Sequence, residues 1–159
     1  MRLLASAALL VSLSGPAVAQ TEPPKRCTAV EVRTLVVRFI RAFNAGDLKR
    51  LDRLFARKPD FRWYSTDAPG RRLGGAAYSR ATLIPYFARR HRLGERLKLR
   101  SFRFNGNSGL SGDTYGNFEY GLIRSADDLS PTRYYGKGAS RCYRARPDVI
   151  FVWSMAREF

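Results

Sequence analysis

The chain has 159 residues, 45% of them hydrophobic and 13% aromatic, which is enough to bury one hydrophobic core and hardly two. Lysine and arginine total 29 against 13 acidic residues, for a formal net charge of +16. A field of that sign attracts anions: nucleic acid, phospholipid head groups, envelope polymers or acidic proteins. The arginine excess can equally reflect genomic base composition.

The two cysteines and one histidine lack metal-ligand spacing, so we expect no metal and no cofactor.

Residues 1–19 have the pattern of a signal peptide. A charge at Arg2 precedes an apolar run over residues 3–13, a Gly15-Pro16 break follows, and residues 17–19 form a small-x-small cleavage site. The run is shorter than the roughly 20 residues that span a bilayer as a helix. A retained amphipathic anchor is the alternative. The pattern predicts export to a periplasm or to the medium, so we expect no nucleic acid partner.

Cys27 and Cys142 are expected to form a disulfide, because an exported chain meets an oxidising compartment. Two buried free thiols are the alternative. The bond would tie an N-terminal lead-in, residues 20–27, to a strand near the C-terminus. Residues 28–159 are then predicted to form a single domain.

Two helices that share one turn are predicted between Thr28 and Ala56. Apolar residues recur at spacings of three and four, which indicates one buried helix face. Gly46 suits the left-handed C-cap of the first helix, and the carboxylate of Asp47 is placed to cap the second. The apolar residues of the two faces are Val32, Leu35, Val36, Phe39, Ile40 and Phe43, then Leu48, Leu51, Leu54 and Phe55.

A strand and a third helix are predicted next. Residues 60–66 alternate apolar and polar types and are rich in aromatics, which is typical of a strand. Glycine and proline predict a loop over residues 67–75. The third helix is predicted from Tyr78 or Ser79 to His91. Its inward side chains are expected to be Leu83, Ile84, Tyr86 and Phe87.

Four strands are predicted in the remainder. The first changes phase between Leu99 and Phe102, so we expect a bulge near Arg100-Ser101. A glycine-rich hairpin connection is predicted over residues 105–117. Further strands are predicted over residues 115–125, 133–144 and 148–155, and the last is apolar on both faces, as in a strand between two neighbours. This order predicts an α+β fold in which a strongly bent antiparallel sheet wraps around N-terminal helices.

Residues 39–56, FIRAFNAGDLKRLDRLFA, resemble the N-terminal helix pair of the nuclear transport factor 2-like superfamily. The Asn44-Ala45-Gly46-Asp47 turn and the leucines after it carry the resemblance, and the order of elements agrees with it. The resemblance implies a cone-shaped, cystatin-like α+β fold, shared by ketosteroid isomerases and SnoaL-like cyclases. Because this fold hosts enzymes as well as binding and dimerisation modules, it does not by itself fix a function.

The resemblance implies positions for the catalytic groups of the ketosteroid isomerases. Their first-helix tyrosine donates a hydrogen bond to substrate, and this chain has Phe39 there. Their general base lies on the first strand, where this chain has Trp63 and Tyr64. Phenylalanine cannot donate that bond and an indole cannot take a proton from carbon, so we do not expect this chemistry. His91, at the charged end of the third helix, is interpreted as solvent-exposed.

Glu119 in NFEYG is the carboxylate that could still act in catalysis. If it points inward, its pKa would be raised and it could serve as an acid, a base or a ligand anchor. If Phe118 and Tyr120 point inward, as hydrophobicity favours, Glu119 is solvated. The candidate pocket residues are Phe39, Trp63, Tyr64, Tyr86 and Glu119, although aromatic residues in a small domain more often form the core.

Three hypotheses follow. The first is an exported non-catalytic domain that binds a small apolar or amphipathic ligand in the cone or a partner on its sheet, where homodimerisation would also fit. The second is a small isomerase, dehydratase or cyclase that uses Glu119. The third is a basic surface binder of anionic envelope components. The basic side chains assigned to that surface are Arg50, Arg53, Arg57, Arg89 and Arg90, with Lys58 and Arg92 nearby. Lys137 is either an anion contact or an ordinary surface lysine.

Overall fold

Three helices and six strands lie within the part of the chain that the computed structural model describes, residues 22–57, 61–67, 73–77, 80–109 and 114–158. The helices are α1 (Ala29–Ala45), α2 (Leu48–Leu54) and α3 (Arg80–Arg92). The strands are β1 (Trp63–Asp67), β2 (Leu73–Ala77), β3 (Arg96–Ser108), β4 (Tyr115–Ala126), β5 (Leu129–Arg141) and β6 (Val149–Arg157). No helix in these ranges is long and apolar enough to cross a membrane. The predicted signal peptide lies outside them.

The helix pair has the predicted caps. The Thr28 hydroxyl accepts from the Glu31 backbone N–H, and the Glu31 carboxylate accepts from the Thr28 N–H at 2.8 Å, which is a capping box. Gly46 ends α1 with a φ of 66°, and Asp47 accepts from the Arg50 N–H at 2.8 Å. The six predicted apolar residues of α1 are buried, as are Leu51, Leu54 and Phe55, whereas Leu48 is partly buried.

The end of α1 is attached to β3 and α3. The Asn44 side chain donates to the Leu97 carbonyl at 2.9 Å and accepts from the Leu97 N–H at 2.8 Å. The His91 ring packs against Gly46. The interpretation of His91 as solvent-exposed is therefore wrong: the residue is partly buried, and its Nδ1 has no hydrogen-bond partner in the described ranges.

The strands form one sheet in the order β2-β1-β6-β5-β4-β3. β1 pairs in parallel with β6, with Tyr64 opposite Trp153, and the other neighbours are antiparallel. β6 thus lies between two strands, which confirms the predicted position of this strand. The parallel pairing was not predicted, because no local pattern reports which distant strand will lie beside β1.

Two predicted connections are shorter in the structure. Residues 73–75, the end of the predicted 67–75 loop, belong to β2 (Leu73–Ala77), which pairs with β1. Ladder hydrogen bonds outweigh the weak strand propensity of LGGAA. β3 continues to Ser108 and β4 begins at Tyr115, inside the predicted 105–117 connection. The expected bulge between Leu99 and Ser101 is present, and a second lies between Phe104 and Gly106.

The side chains of β4 alternate between an inner face, which packs against the helices, and an outer face. Phe118, Tyr120 and Leu122 are buried on the inner face. On β5, Gly136 and Gly138 lie opposite Tyr120 and Phe118, where a Cβ atom at either glycine would collide with the facing ring. The two glycines therefore make room for large aromatic side chains in the interior.

The N-terminal lead-in is attached to the sheet. Cys27 and Cys142 form the predicted disulfide, with Cα atoms 5.3 Å apart. The Lys25 N–H donates to the Cys142 carbonyl at 2.8 Å. The Asn107 side chain accepts from the Cys27 N–H at 2.7 Å and donates to its carbonyl at 2.9 Å. Backbone and side-chain bonds thus hold the lead-in beside the disulfide.

Removal of the disulfide is expected to lower the free energy of unfolding by roughly 3 to 5 kcal/mol, because the bond closes a loop with a sequence separation of 115 residues. The variant is Cys27→Ser with Cys142→Ser, which leaves no free thiol to mispair. Urea unfolding of the oxidised protein and the double variant measures the difference. A loss below about 1 kcal/mol would contradict the expectation.

Gly46→Ala is expected to lower the free energy of unfolding by about 1 to 2 kcal/mol through the positive φ alone. The added methyl group would also collide with the His91 ring. His91→Ala removes that collision, so the double variant should lose less stability than the sum of the single variants. Urea unfolding of the four proteins measures this coupling, and strict additivity would show that the contact is not formed.

Candidate functional site

Aromatic rings fill the interior between the helices and the sheet. The Phe39 ring centroid lies 4.5 Å from that of Trp153 and 5.6 Å from that of Phe55. Phe39 and Trp153 have no exposed surface, and Tyr64 is 1% exposed. A cavity able to hold water would expose part of the rings around it, so these rings pack directly against other atoms. Phe39 and Tyr64, two predicted pocket residues, are core residues.

The polar atoms of this interior are hydroxyls and an indole. Tyr120 stacks on Trp153 with centroids 4.1 Å apart and donates its hydroxyl to the Ser154 carbonyl at 2.8 Å. Trp153 Nε1 is buried and has no acceptor among the residues described. Burial raises the pKa of Tyr64 and of Tyr120 well above the ordinary value, so both hydroxyls stay protonated at neutral pH.

Four charged side chains form a network where α3 meets β3. Arg124 on β4 donates to Glu95 at 2.8 Å, and the second Glu95 oxygen accepts from Arg90. Arg90 in turn donates to both oxygens of Asp128, at 2.9 and 3.0 Å. Glu95 is 1% and Arg124 5% exposed. Removing Glu95 or Arg124 would leave the buried charge of the other residue unpaired, which strongly destabilises a fold.

Tyr86 connects this network to the aromatic interior. Its hydroxyl lies 3.5 Å from Arg124 Nη2, and its ring centroid is 5.6 Å from that of Tyr64. Burial raises the pKa of Tyr86. Burial is the largest single influence on Arg124 and lowers the pKa of its guanidinium. The hydrogen bond to Glu95 and the electrostatic effects of Glu95, Tyr64 and Tyr86 together raise this pKa above its ordinary value. Both oxygens of Glu95 already accept from arginines, so this carboxylate is not directed at a substrate position.

Glu119 lies on the outer face of the sheet. The Tyr135 hydroxyl and Arg103 donate to its carboxylate, Arg103 Nε at 3.0 Å, and Lys137 Nζ lies 3.5 Å away. These contacts lower the pKa of Glu119 to about 2. The hypothesis of an inward Glu119 with a raised pKa is therefore wrong. The carboxylate is covered by the three neighbouring side chains rather than freely solvated.

The predicted basic surface on the helices is only partly available. Arg90 belongs to the network with Glu95 and Asp128, and its side chain is only 13% exposed. The Arg50 guanidinium lies 3.5 Å from the Asp47 carboxylate. The side chains of this set that remain exposed are Arg50, Arg53, Arg57 and Arg89.

Some predicted groups fall outside the described structure: Lys58, and the side chain of Trp63, whose backbone belongs to β1. In the described ranges, no three His, Cys, Asp or Glu side chains are grouped so as to hold a metal ion.

Sequence reasoning missed the Glu95–Arg124 pair. Arg124 has the same strand parity as the buried Leu122, which is a signal for an inward arginine, but the sequence does not identify its partner.

Comparison with solved structures identifies the fold. A protein of unknown function with a cystatin-like fold from Nostoc punctiforme aligns with a TM-score of 0.61 and 16% identity, over 81% of this chain and 90% of its own. A ketosteroid isomerase-like protein from Erwinia carotovora atroseptica aligns at 0.55 and 12%, over 82% and 96%. A Streptomyces avermitilis protein provisionally assigned as a dehydratase of the nuclear transport factor 2-like family aligns at 0.60 and 13%, over 82% and 96%.

No family model matches the chain, and no curated protein matches it in sequence. The structural similarities nevertheless show that the chain has a cystatin-like α+β fold, which it shares with the ketosteroid isomerase-like and nuclear transport factor 2-like neighbours. This confirms the resemblance found in the helix pair and the predicted fold class. At these sequence identities the similarities establish the fold alone.

The lowered pKa of Glu119 predicts a pH-dependent stability. A carboxyl whose folded pKa is about 2 instead of 4.5 contributes stability that is present above about pH 4.5 and is lost as the pH falls toward 2. Glu119→Gln is expected to abolish this part of the acid dependence. Thermal unfolding of both proteins between about pH 6 and pH 2.5 measures it. If the melting temperatures of the two proteins fall in parallel over that pH window, Glu119 does not form the described contacts with Tyr135, Arg103 and Lys137.

Proposed function

We propose that the chain is an exported, non-catalytic binding domain that contacts its partner at the protein surface rather than inside the cone. The packing of Phe39 and Trp153, neither of which has exposed surface, carries this proposal. A substrate in the cone would need the space that these rings fill. The fold hosts binding modules as well as enzymes, so this function is compatible with it.

The positions of the candidate acids and bases support a non-catalytic role. General acid–base catalysis needs a group within hydrogen-bond reach of the reacting atom. Phe39 has no proton to donate, Glu119 is on the opposite side of the sheet from the interior, and both oxygens of Glu95 are bonded to arginines. The isomerase-like and dehydratase-like neighbours motivate the enzymatic alternative, but Phe39, Glu119 and Glu95 do not supply its chemistry.

A second candidate function rests on Trp153. Its buried Nε1 has no acceptor in the described structure, and a buried donor left unpaired costs roughly 1 to 3 kcal/mol. A small apolar ligand with one carbonyl or ether oxygen would supply the missing acceptor. Such a ligand would have to displace the packed rings around it. For that reason we place it second.

Native mass spectrometry of the gently purified protein tests the proposal. The expected result is the polypeptide mass, lowered by two hydrogens for the disulfide, with no small molecule bound. A stoichiometric compound that is released on denaturation would overturn the surface proposal. Trp153→Phe is the matched control, because loss of that compound in the variant would support the second candidate.

A further inference from the structure

The outer face of the sheet forms a trough along β4. Its floor consists of Glu119, Gly121 and Ile123. The residues opposite this floor are Lys98, Ser101 and Arg103 on β3, and Arg133, Tyr135 and Lys137 on β5. Gly121 has no side chain, and a Cβ atom there would lie 2.7 Å from Ser101 Oγ. We call these nine residues the β4 trough.

The dimensions of the β4 trough follow from strand geometry. Its two walls are two strand spacings apart, about 9.6 Å. The rows at Ile123 and Glu119 are four residues apart on β4, which corresponds to about 14 Å. The trough is therefore long and narrow enough to accommodate a single extended polymer chain.

The β4 trough contains four cationic side chains and one carboxylate. Arg103 and Lys137 flank Glu119, and their side chains are 72% and 67% exposed. Lys98 and Arg133 flank the apolar Ile123 and are also exposed. Neither of these two forms an ion pair with any residue that the structure describes. The trough therefore has an excess of positive charge, and its end at Ile123 has no internal counterion.

Protection of the sheet edge explains only half of this charge. β3 is an edge strand, and exposed basic side chains on an edge discourage pairing with other chains. This accounts for Lys98 and Arg103. Arg133 and Lys137 are on β5, which is paired on both sides by β4 and β6, so no edge needs protection there. A ligand that meets both walls explains all four.

We propose that the β4 trough binds a linear acidic polysaccharide, a chain of sugar rings that carry carboxylates. This inference rests on the proposed function and specifies its partner. The sugar carboxylates would pair with Lys98 and Arg133. Tyr135 is 39% exposed and offers a ring face to a sugar, and the exposed Ser101 can hydrogen-bond its hydroxyls. A phosphate polymer without sugar rings would leave the Tyr135 ring face without a matching group.

Binding of an oligogalacturonate of about ten sugars, measured by calorimetry near 50 mM salt, tests the inference. Lys98→Gln with Arg133→Gln is expected to weaken binding by roughly tenfold, the loss of two exposed charge contacts. Lys49→Gln on α2 with Arg41→Gln on α1 is the matched control, because it removes the same charge types from exposed positions outside the β4 trough. We expect this control to bind within about twofold of the unmodified protein.

Three outcomes would overturn the inference. The first is absence of oligogalacturonate binding, and the second is an equal loss in both double variants, which would indicate a non-specific charge effect. The third is equal affinity for phosphatidylglycerol vesicles or for a single-stranded oligonucleotide. None of these three outcomes places a ligand in the cone. The mass-spectrometric test, which detects a ligand in the cone, is therefore independent of them. Tyr135→Ser should weaken binding of the sugar chain while leaving any vesicle retention unchanged.

Discussion

The contact between Phe39 of α1 and Trp153 of β6 is the interaction on which the rest of the structure depends. β6 joins the two parts of the sheet, with β1 and β2 on one side and β5, β4 and β3 on the other. Ring centroids 4.5 Å apart place α1 against that central strand. Each fully buried aromatic ring contributes roughly 1.5 to 3 kcal/mol. The same rings that attach the helices to the sheet occupy the space in which a cone-shaped protein would hold a substrate.

The charged side chains of the interior differ from those of the surface in how their charges are balanced. In the interior, Arg124 is neutralised by Glu95 and its guanidinium lies 4.7 Å from the centroid of the Tyr134 ring. Two arginines and two carboxylates balance within that network, so it adds nothing to the net charge. The formal +16 of the chain therefore arises from other side chains, most of them exposed. The interior of the described structure is thus electrically balanced, and its excess positive charge lies at the surface.

The sequence could predict features that depend on neighbours in the chain. The Thr28, Gly46 and Asp47 caps are short-range signals, and α1 and α2 follow from them. β2 was missed because pairing with β1, rather than its own composition, makes LGGAA a strand. Glu119 and Arg124 are both charged and are five positions apart on β4, so they lie on opposite faces of the sheet. The partner of Arg124, Glu95, is 29 positions away in the chain. The sequence alone does not reveal such long-range partners.

The Cys27–Cys142 bond makes most of the domain a covalent ring, since its sequence separation of 115 residues includes every element from α1 to β5. Proteases cut most readily in exposed connections between elements. A single cut inside the ring would leave both fragments joined through sulfur and held in place by the packed interior. Fragments separate only after a second cut or after reduction. A nicked molecule would thus keep its folded surface, which favours survival where proteases are abundant.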